Sequence, residues 1–164
     1  MFEPYEKKTR LLPGTINAAN KLGPYGALIL FQDAATEDSY MKKTDYYHLK
    51  EESGAFWIIT KSRVHFNREP VLFEDVTVRS WANKPSSITG LRNYVIENAD
   101  GKPAVIGVSE WTMIDIETRK LRRISSTSYP LDANSPFLST IWERILIEGS
   151  ESKYHTLMKS EIMY

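Results

Sequence analysis

Residues 23–41, GPYGALILFQDAATEDSYM, constrain the fold more than any other stretch of the chain. Gly23 suits the N-cap of a helix, and Pro24 suits its first position, where the missing N–H leaves no hydrogen bond unmade. Every residue from Ala27 to Phe31 is apolar, so the first half of this helix has no polar face to turn to water. Because a helix that is apolar all round is normally buried, the sequence predicts a central helix with other elements wrapped around it.

Segments rich in β-branched and aromatic residues follow this helix and supply the material for a sheet. Turn residues separate them, including a hairpin signal at 98–101, and we predict strands over 55–66, 71–81, 87–97 and 104–116. In the first of these strands, the alternation places Trp57 and Ile59 on one face and Val64 and Phe66 on the other. The pattern also predicts a strand over 2–12, a short helix over 46–52 and a strand over 120–124. A long helix wrapped by an antiparallel sheet is an α+β hotdog fold, which is the fold class we expect.

Composition and charge exclude several classes of function. The 21 basic residues balance the 21 acidic ones, so no global charge points to a nucleic acid or to a membrane surface. There is no cysteine, and therefore no thiolate nucleophile, disulfide or cysteine metal site. The histidines at 48, 65 and 155 lack the spacing of metal ligands, so we predict no metal site. With no apolar run near the roughly 18 residues that span a bilayer, and no apolar leader segment, we expect a soluble cytoplasmic protein.

The composition changes after Ile124, which indicates a domain boundary. Residues 125–136 have the serine, proline and asparagine content of a linker, residues 137–147 form a short apolar segment, and residues 154–164 have the pattern of a strand. We therefore expect an N-terminal hotdog domain over 1–125, a linker over 126–153, and the first strand of a second, truncated hotdog domain over 154–164.

A set of residues spread over 5–125 resembles the N-terminal half of the acyl-acyl-carrier-protein (acyl-ACP) thioesterases. In chain order the set comprises Gln32-Asp33-Ala34-Ala35, Trp57, Arg68 to Pro70 with Glu74, Trp81, Arg92, Asp100-Gly101, Ser109 with Trp111, and the hairpin from Thr118 to Arg123. Members of this family have two hotdog domains in tandem. They cleave the thioester between a fatty acyl chain and the phosphopantetheine arm of acyl carrier protein. The resemblance implies this reaction, which terminates chains in fatty acid biosynthesis, with acyl-ACP as partner and no cofactor.

The resemblance also implies where the chemistry lies. The family's catalytic carboxylate, asparagine and histidine belong to its second hotdog domain, so the catalytic residues are expected beyond Tyr164. The same pattern set against the first domain falls on Asn17, Asn20 and Lys21, in place of an aspartate, a glycine and a histidine. This implies a degenerate copy whose role is to shape the acyl tunnel.

Two acidic residues of the central helix provide an alternative site within the chain. Asp33 is the best candidate base, since other hotdog enzymes place a carboxylate on the central helix facing a partner subunit, and Glu37 lies one turn later. This alternative describes a single-hotdog thioesterase or dehydratase whose site forms at a homodimer interface. The competing interpretation is that both are solvated acidic residues at the polar end of the helix.

Two further groups of residues are predicted to contact the substrate. An acyl pocket between helix and sheet is predicted to be lined by Phe31, Gln32, Ala35, Trp57, Tyr94 and Trp111, with ordinary core packing as the equal competitor. The acidic surface of the carrier protein is predicted to dock on the hairpin residues Arg119, Lys120, Arg122 and Arg123, unless these form a solvated hairpin. A non-catalytic acyl-binding module is a third interpretation of the whole chain.

Overall fold

The computed structural model describes residues 3–127 and Tyr129, and five antiparallel strands within this part of the chain form one sheet. The strands are β1 (Tyr5–Arg10), β2 (Ala55–Phe66), β3 (Asp75–Ala82), β4 (Thr89–Glu97) and β5 (Pro103–Asp115). Their order across the sheet is β1-β3-β4-β5-β2. Two helices, α1 (Pro24–Met41) and α2 (Tyr46–Ser53), connect β1 to β2. The long helix lies across one face of the sheet, which confirms the predicted α+β hotdog fold.

Helix α1 begins as the sequence predicts, with Gly23 as N-cap and Pro24 as its first residue. Its buried residues form one stripe, namely Gly26, Ala27, Phe31, Ala34, Ala35 and Asp38. The prediction that the first half is buried all round is wrong, because Tyr25 is 75% exposed and Leu28 is 40% exposed. The helix therefore turns one apolar face to its own sheet and leaves another uncovered.

The core has two parts. The larger cluster packs the buried stripe of α1 against the sheet and contains Leu11, Leu22, Val76, Val78, Ile96 and Val105. The smaller cluster holds α2 against one end of the sheet through Leu49, Ala55, Met113 and Ile124. Burial of this apolar area is the main favourable contribution to folding.

The strands after α2 differ most from the predicted bounds at two places, whereas β4 begins two residues later than predicted and β5 is displaced by one residue. Strand β3 begins at Asp75 instead of residue 71, because Phe73 takes a left-handed backbone conformation and Val71 makes only a single bridge to Lys21. The predicted strand over 120–124 is wrong. Leu121 makes one isolated bridge to Ile114, and a short 3-10 turn covers Ile124–Ser126.

A β-bulge in β2 reverses the predicted faces of its second half. Trp57 pairs with Met113, whereas Val64 pairs with Gly107 after a register shift between Ile59 and Lys61. Because Met113 and Gly107 are an even number of residues apart on β5, their partners on β2 share a face. Val64 therefore lies on the helix-facing side together with Trp57, and the predicted separation is wrong.

Part of the predicted organisation cannot be compared with the structure. Residues 130–164 lie outside the described residues, and they include most of the predicted linker, the apolar segment 137–147 and the predicted strand 154–164. Among the residues that are described, neither helix is long and apolar enough to cross a membrane.

Candidate functional site

A cleft of about 190 Å³ lies between the second half of α1 and the sheet. We call it the first cleft. Gln32, Ala35, Thr36 and Ser39 line it from α1, and Asp45 and Tyr46 from the start of α2. The sheet and the segment after it contribute Trp57, Ala82, Gly90, Leu91, Arg92, Trp111 and Tyr129. Gly90 contributes no side chain to this wall. A Cβ at this position would make an ordinary van der Waals contact with the indole of Trp57, at 3.6 Å.

A second cleft of about 320 Å³ lies under the first half of α1, beside the edge strand β2. Its walls are mostly apolar and come from Tyr25, Leu28, Ile29, Phe31, Gln32, Ile59, Ser62, Arg63, Tyr94, Val108 and Ser109. The exposed side chains Tyr25 and Leu28 belong to this wall, so the uncovered face of α1 and the second cleft form one apolar surface.

The structure brings together the six residues predicted to line an acyl pocket. Gln32, Ala35, Trp57 and Trp111 line the first cleft, and Phe31, Gln32 and Tyr94 line the second. Phe31 and Tyr94 also stack on each other, with ring centroids 4.6 Å apart. The ring of Phe31 occupies the space that Gly107 leaves open, because a Cβ at residue 107 would lie 2.3 Å from it. Contact of these residues with an acyl chain remains a prediction.

Arg92 and Asp38 form a buried ion pair beside the first cleft, which was not predicted from the sequence. Arg92 Nη1 lies 2.8 Å from Asp38 Oδ2 and donates to Ser80 Oγ at 3.0 Å, while Lys42 Nζ lies 2.7 Å from Asp38 Oδ1. The side chains of Arg92 and Asp38 are 8% and 3% exposed. One signal for it exists in the sequence, since Asp38 follows Phe31 by seven residues and therefore continues the buried stripe of α1.

Three polar side chains form a hydrogen-bonded row on the helix-facing side of the sheet. Trp111 Nε1 donates to Ser109 Oγ at 2.5 Å, and Ser109 Oγ lies 2.8 Å from the hydroxyl of Tyr94. Burial raises the pKa of Tyr94, so its hydroxyl stays neutral. The row can hold side chains in place, but it contains no base.

Neither candidate base on α1 lines a cleft. Glu37 accepts hydrogen bonds from Lys7 Nζ at 2.5 Å and from the hydroxyl of Tyr5, and these bonds lower the pKa of Glu37. Burial, together with the bond to Glu37, raises the pKa of Tyr5 to about 12. Asp33 is exposed on the same side of the helix. Both carboxylates therefore face away from the apolar clefts.

Asp45 is the acidic residue that lines the first cleft among the described residues. It caps α2, accepting a hydrogen bond from the Tyr47 N–H at 2.9 Å, and it also pairs with His48 Nδ1. Burial alone would raise the pKa of Asp45, but the bonds from His48 and Tyr47 lower it below its usual value. A carboxylate with a lowered pKa is a weak base, and a helix cap accounts for this one.

Asn17, Asn20 and Lys21, on which the family's catalytic pattern falls, lie in a closed loop before α1. Asn17 Oδ1 accepts the backbone N–H groups of Ala19 and Lys21, at 2.9 and 3.2 Å. The side chain of Lys21 pairs with Glu69 at 2.7 Å, and Asn20 takes a left-handed backbone conformation. These contacts fix the entry to the helix and leave the Lys21 ammonium partnered within the chain.

The basic hairpin divides into two kinds of residue. Arg122 is held inside the chain, where it donates to the carbonyl of Ser53 and pairs with Asp115 at 3.1 Å. Arg119, Lys120 and Arg123 are exposed. The guanidinium of Arg119 lies 6.0 Å from the ring centre of Phe56, within the range of a cation–π contact.

The family model for the acyl-ACP thioesterase N-terminal domain matches residues 6–129, which is most of the chain. The chain belongs to the acyl-ACP thioesterase family. The matched range contains both clefts and all six residues predicted to line the acyl pocket. No curated protein sequence matches the chain significantly. Within the part of this thioesterase-family domain that the structure describes, no cluster of three or more acidic or histidine side chains could hold a metal ion.

Several solved structures share the fold of this chain. An acyl-ACP thioesterase from Bacteroides thetaiotaomicron is 18% identical, with a TM-score of 0.69 over 80% of this chain and 56% of that one. A protein from Lactobacillus plantarum, provisionally assigned as an oleoyl thioesterase, is 19% identical, with a TM-score of 0.70 over 74% and 47%. A DHNA-CoA thioesterase from Staphylococcus aureus is 18% identical, with a TM-score of 0.64 over 98% and 97%.

At these identities the likeness shows the fold alone, and it confirms the hotdog architecture. This chain spans about half the length of the first two structures. The family model that matches the chain is likewise that of an N-terminal domain.

Proposed function

We propose that the protein takes part in hydrolysis of fatty acyl-ACP thioesters, the step that ends chain growth in fatty acid biosynthesis, and that this chain is the acyl-binding half. The observation that carries the proposal is the pair of mostly apolar clefts between α1 and the sheet, within a domain of the acyl-ACP thioesterase family. Apolar walls stabilise a bound alkyl chain in proportion to the area removed from water.

The chemistry of the reaction limits what this half contributes. Thioester hydrolysis requires a water positioned for attack on the carbonyl carbon, a base of suitable pKa, and donors for the developing oxyanion. The carboxylates of Glu37 and Asp45 are engaged in hydrogen bonds that lower their pKa, and Asp33 lies away from both clefts. We infer that the base and the oxyanion donors come from a second hotdog domain, which a linker over 126–153 and a strand over 154–164 would introduce.

Docking of the carrier protein is proposed on the exposed part of the basic hairpin. Arg119, Lys120 and Arg123 offer positive charge to an acidic partner, and such charge sets orientation and association rate more than affinity. Arg122 is excluded from this role because it is held by Ser53 and Asp115. We propose that this reaction takes place in the cytoplasm, with the carrier protein as partner and without binding to a membrane.

Hydrolysis of acyl-ACP by two forms of the protein tests the proposal. We expect no thiol release above the uncatalysed rate from the 164-residue chain, and turnover when a second hotdog domain of this family follows Tyr164. Turnover by the 164-residue chain that disappears in Asp33→Asn would instead establish the single-hotdog alternative. Saturable fatty-acyl binding without turnover in both forms would establish a non-catalytic binding module.

Filling the first cleft at Gly90 is expected to weaken acyl binding without unfolding the protein. An alanine methyl at this position meets Trp57 at an ordinary contact distance, so it fits and takes space from the ligand. Displacing about one methylene of a bound chain costs about 0.8 kcal/mol, or about fourfold in Kd. The measurement is displacement of a fluorescent fatty acid by Gly90→Ala. Gly14→Ala is the matched control, because nothing lies within 4 Å of its Cβ, and equal affinities in both variants would contradict the placement of the acyl chain in the first cleft.

A further inference from the structure

The two clefts lie end to end along α1. Gln32 belongs to both, with the first cleft continuing to Ser39 and the second extending back to Tyr25. The strands show the same order. On β4 the first cleft takes Gly90 to Arg92 and the second takes Tyr94. On β5 the first cleft takes Trp111 and the second takes Ser109, two residues away on the same face.

The hydrogen-bonded row described above stands at the boundary between the clefts. The indole of Trp111 is tied to Ser109, Ser109 is tied to Tyr94, and the ring of Tyr94 stacks on Phe31 of α1. These contacts run without interruption from the sheet to the helix. We call this row of Phe31, Tyr94, Ser109 and Trp111 the partition.

The sheet is adapted to the bulky side chains of the partition. Gly107 on β5 leaves the space that the ring of Phe31 occupies, since a Cβ at this position would clash with that ring. Ser109 is 3% exposed, and its oxygen is the shared partner of the Trp111 and Tyr94 polar groups. Loss of this one oxygen would therefore remove a hydrogen bond from each of these neighbours.

We propose that the partition sets the length of acyl chain that the protein accepts. With Trp111 tied to Ser109, a chain in the first cleft ends at the indole. With Trp111 released, the first and second clefts join into one channel along α1, and longer chains are accommodated. This inference rests on the proposed acyl-binding function and adds to it the residues that determine substrate length.

The test is the affinity of a homologous series of saturated fatty acids, from short to long, measured by displacement of a fluorescent fatty acid from the 164-residue chain. For the unmodified protein we expect affinity to rise about fourfold with each methylene until the first cleft is full, and then to stay level. In Ser109→Ala and in Trp111→Leu we expect the rise to continue to longer chains, so that the ratio of long-chain to short-chain affinity exceeds that of the unmodified protein. Ser87→Ala, at an exposed serine outside both clefts, is expected to behave as the unmodified protein.

Two outcomes would overturn the inference, and they differ in what else they affect. A plateau at the same chain length in Ser109→Ala as in the unmodified protein would remove the partition from substrate selection and leave acyl binding intact. Ser109→Ala deletes a single oxygen, so this arm remains decisive even if the larger change at Trp111 disturbs folding. Absence of binding by any fatty acid to the unmodified protein would overturn acyl binding itself, and the inference with it.

Discussion

Replacing Asp38 with alanine is expected to lower the free energy of unfolding by about 3–5 kcal/mol. The variant leaves Arg92 as a buried cation without its carboxylate partner, 2.8 Å away in the native structure, although its hydrogen bond to Ser80 stays in place. Removing one member of a buried ion pair is costly because the other charge stays desolvated and uncompensated. For a chain of this size the expected drop in Tm is about 2–4 °C per kcal/mol, measurable by thermal unfolding followed by circular dichroism.

A matched control is available on the same helix. Glu37 also forms an ion pair, with Lys7, but both side chains are well exposed, and solvent screening makes such a pair worth roughly 0–1 kcal/mol. Glu37→Ala is therefore expected to unfold close to the native midpoint. The double replacement of Asp38 by Leu and Arg92 by Met should recover much of the loss, since apolar side chains of similar size can substitute for a buried pair. A change below about 1 kcal/mol in Asp38→Ala would contradict the view that Arg92 depends on Asp38.

Gly26→Ala is expected to be the second strongly destabilising change, although alanine normally favours helices over glycine by about 1 kcal/mol. A Cβ at residue 26 would lie 1.7 Å from the carbonyl oxygen of Thr15 and 2.9 Å from Leu22. Because the nearest atom is backbone, no rotamer change relieves the clash, and α1 must move away from the turn at Pro13–Thr15. Overpacking of this kind costs about 1–3 kcal/mol, and the upper end applies here.

Urea unfolding of Gly26→Ala, with Gly14→Ala as control, measures this effect. Both glycines lack positive φ angles, and Gly14 has nothing within 4 Å of its Cβ, so the control should change stability by no more than about 0.5 kcal/mol. Since Tyr25 and Leu28 flank Gly26 and line the second cleft, the variant should also alter the fatty-acid length profile. A stability of Gly26→Ala equal to that of the control would show that the helix does not depend on this close approach.

The elements of this fold that carry local signals could be predicted from the sequence. Pro24 fixes the start of α1, and Gly54 ends α2 because its backbone adopts the left-handed conformation that glycine tolerates best. The bounds of β2 agree with the prediction, since Ala55 follows that helix end and the run of β-branched and aromatic residues stops at Phe66. These features depend on the conformational preferences of residues that are neighbours in the chain, and those preferences follow from residue type alone.

The clefts and the partition depend instead on residues that are far apart along the chain. The sequence placed aromatic residues between helix and sheet, but it could not show that Trp111 is tied to Ser109 and that Phe31 rests over Gly107. The bulge in β2 reversed a face because one unpaired residue shifts every later side chain.

Two acidic residues of α1 show most clearly which features follow from local sequence and which follow from tertiary contacts. Glu37 and Asp38 are neighbours in the sequence, and each is acidic, but Glu37 is paired at the surface with Lys7 whereas Asp38 is buried against Arg92. The helical period of 3.6 residues turns adjacent side chains about 100° apart, so the direction each one takes follows from its sequence position. The partner each one finds does not, because Arg92 lies 54 residues away from Asp38 and meets it only when the sheet closes over the helix. The sequence alone therefore determined the helix, and the tertiary structure decided which face of it is buried, which of its polar groups is fixed in the core and which apolar surfaces remain open as clefts.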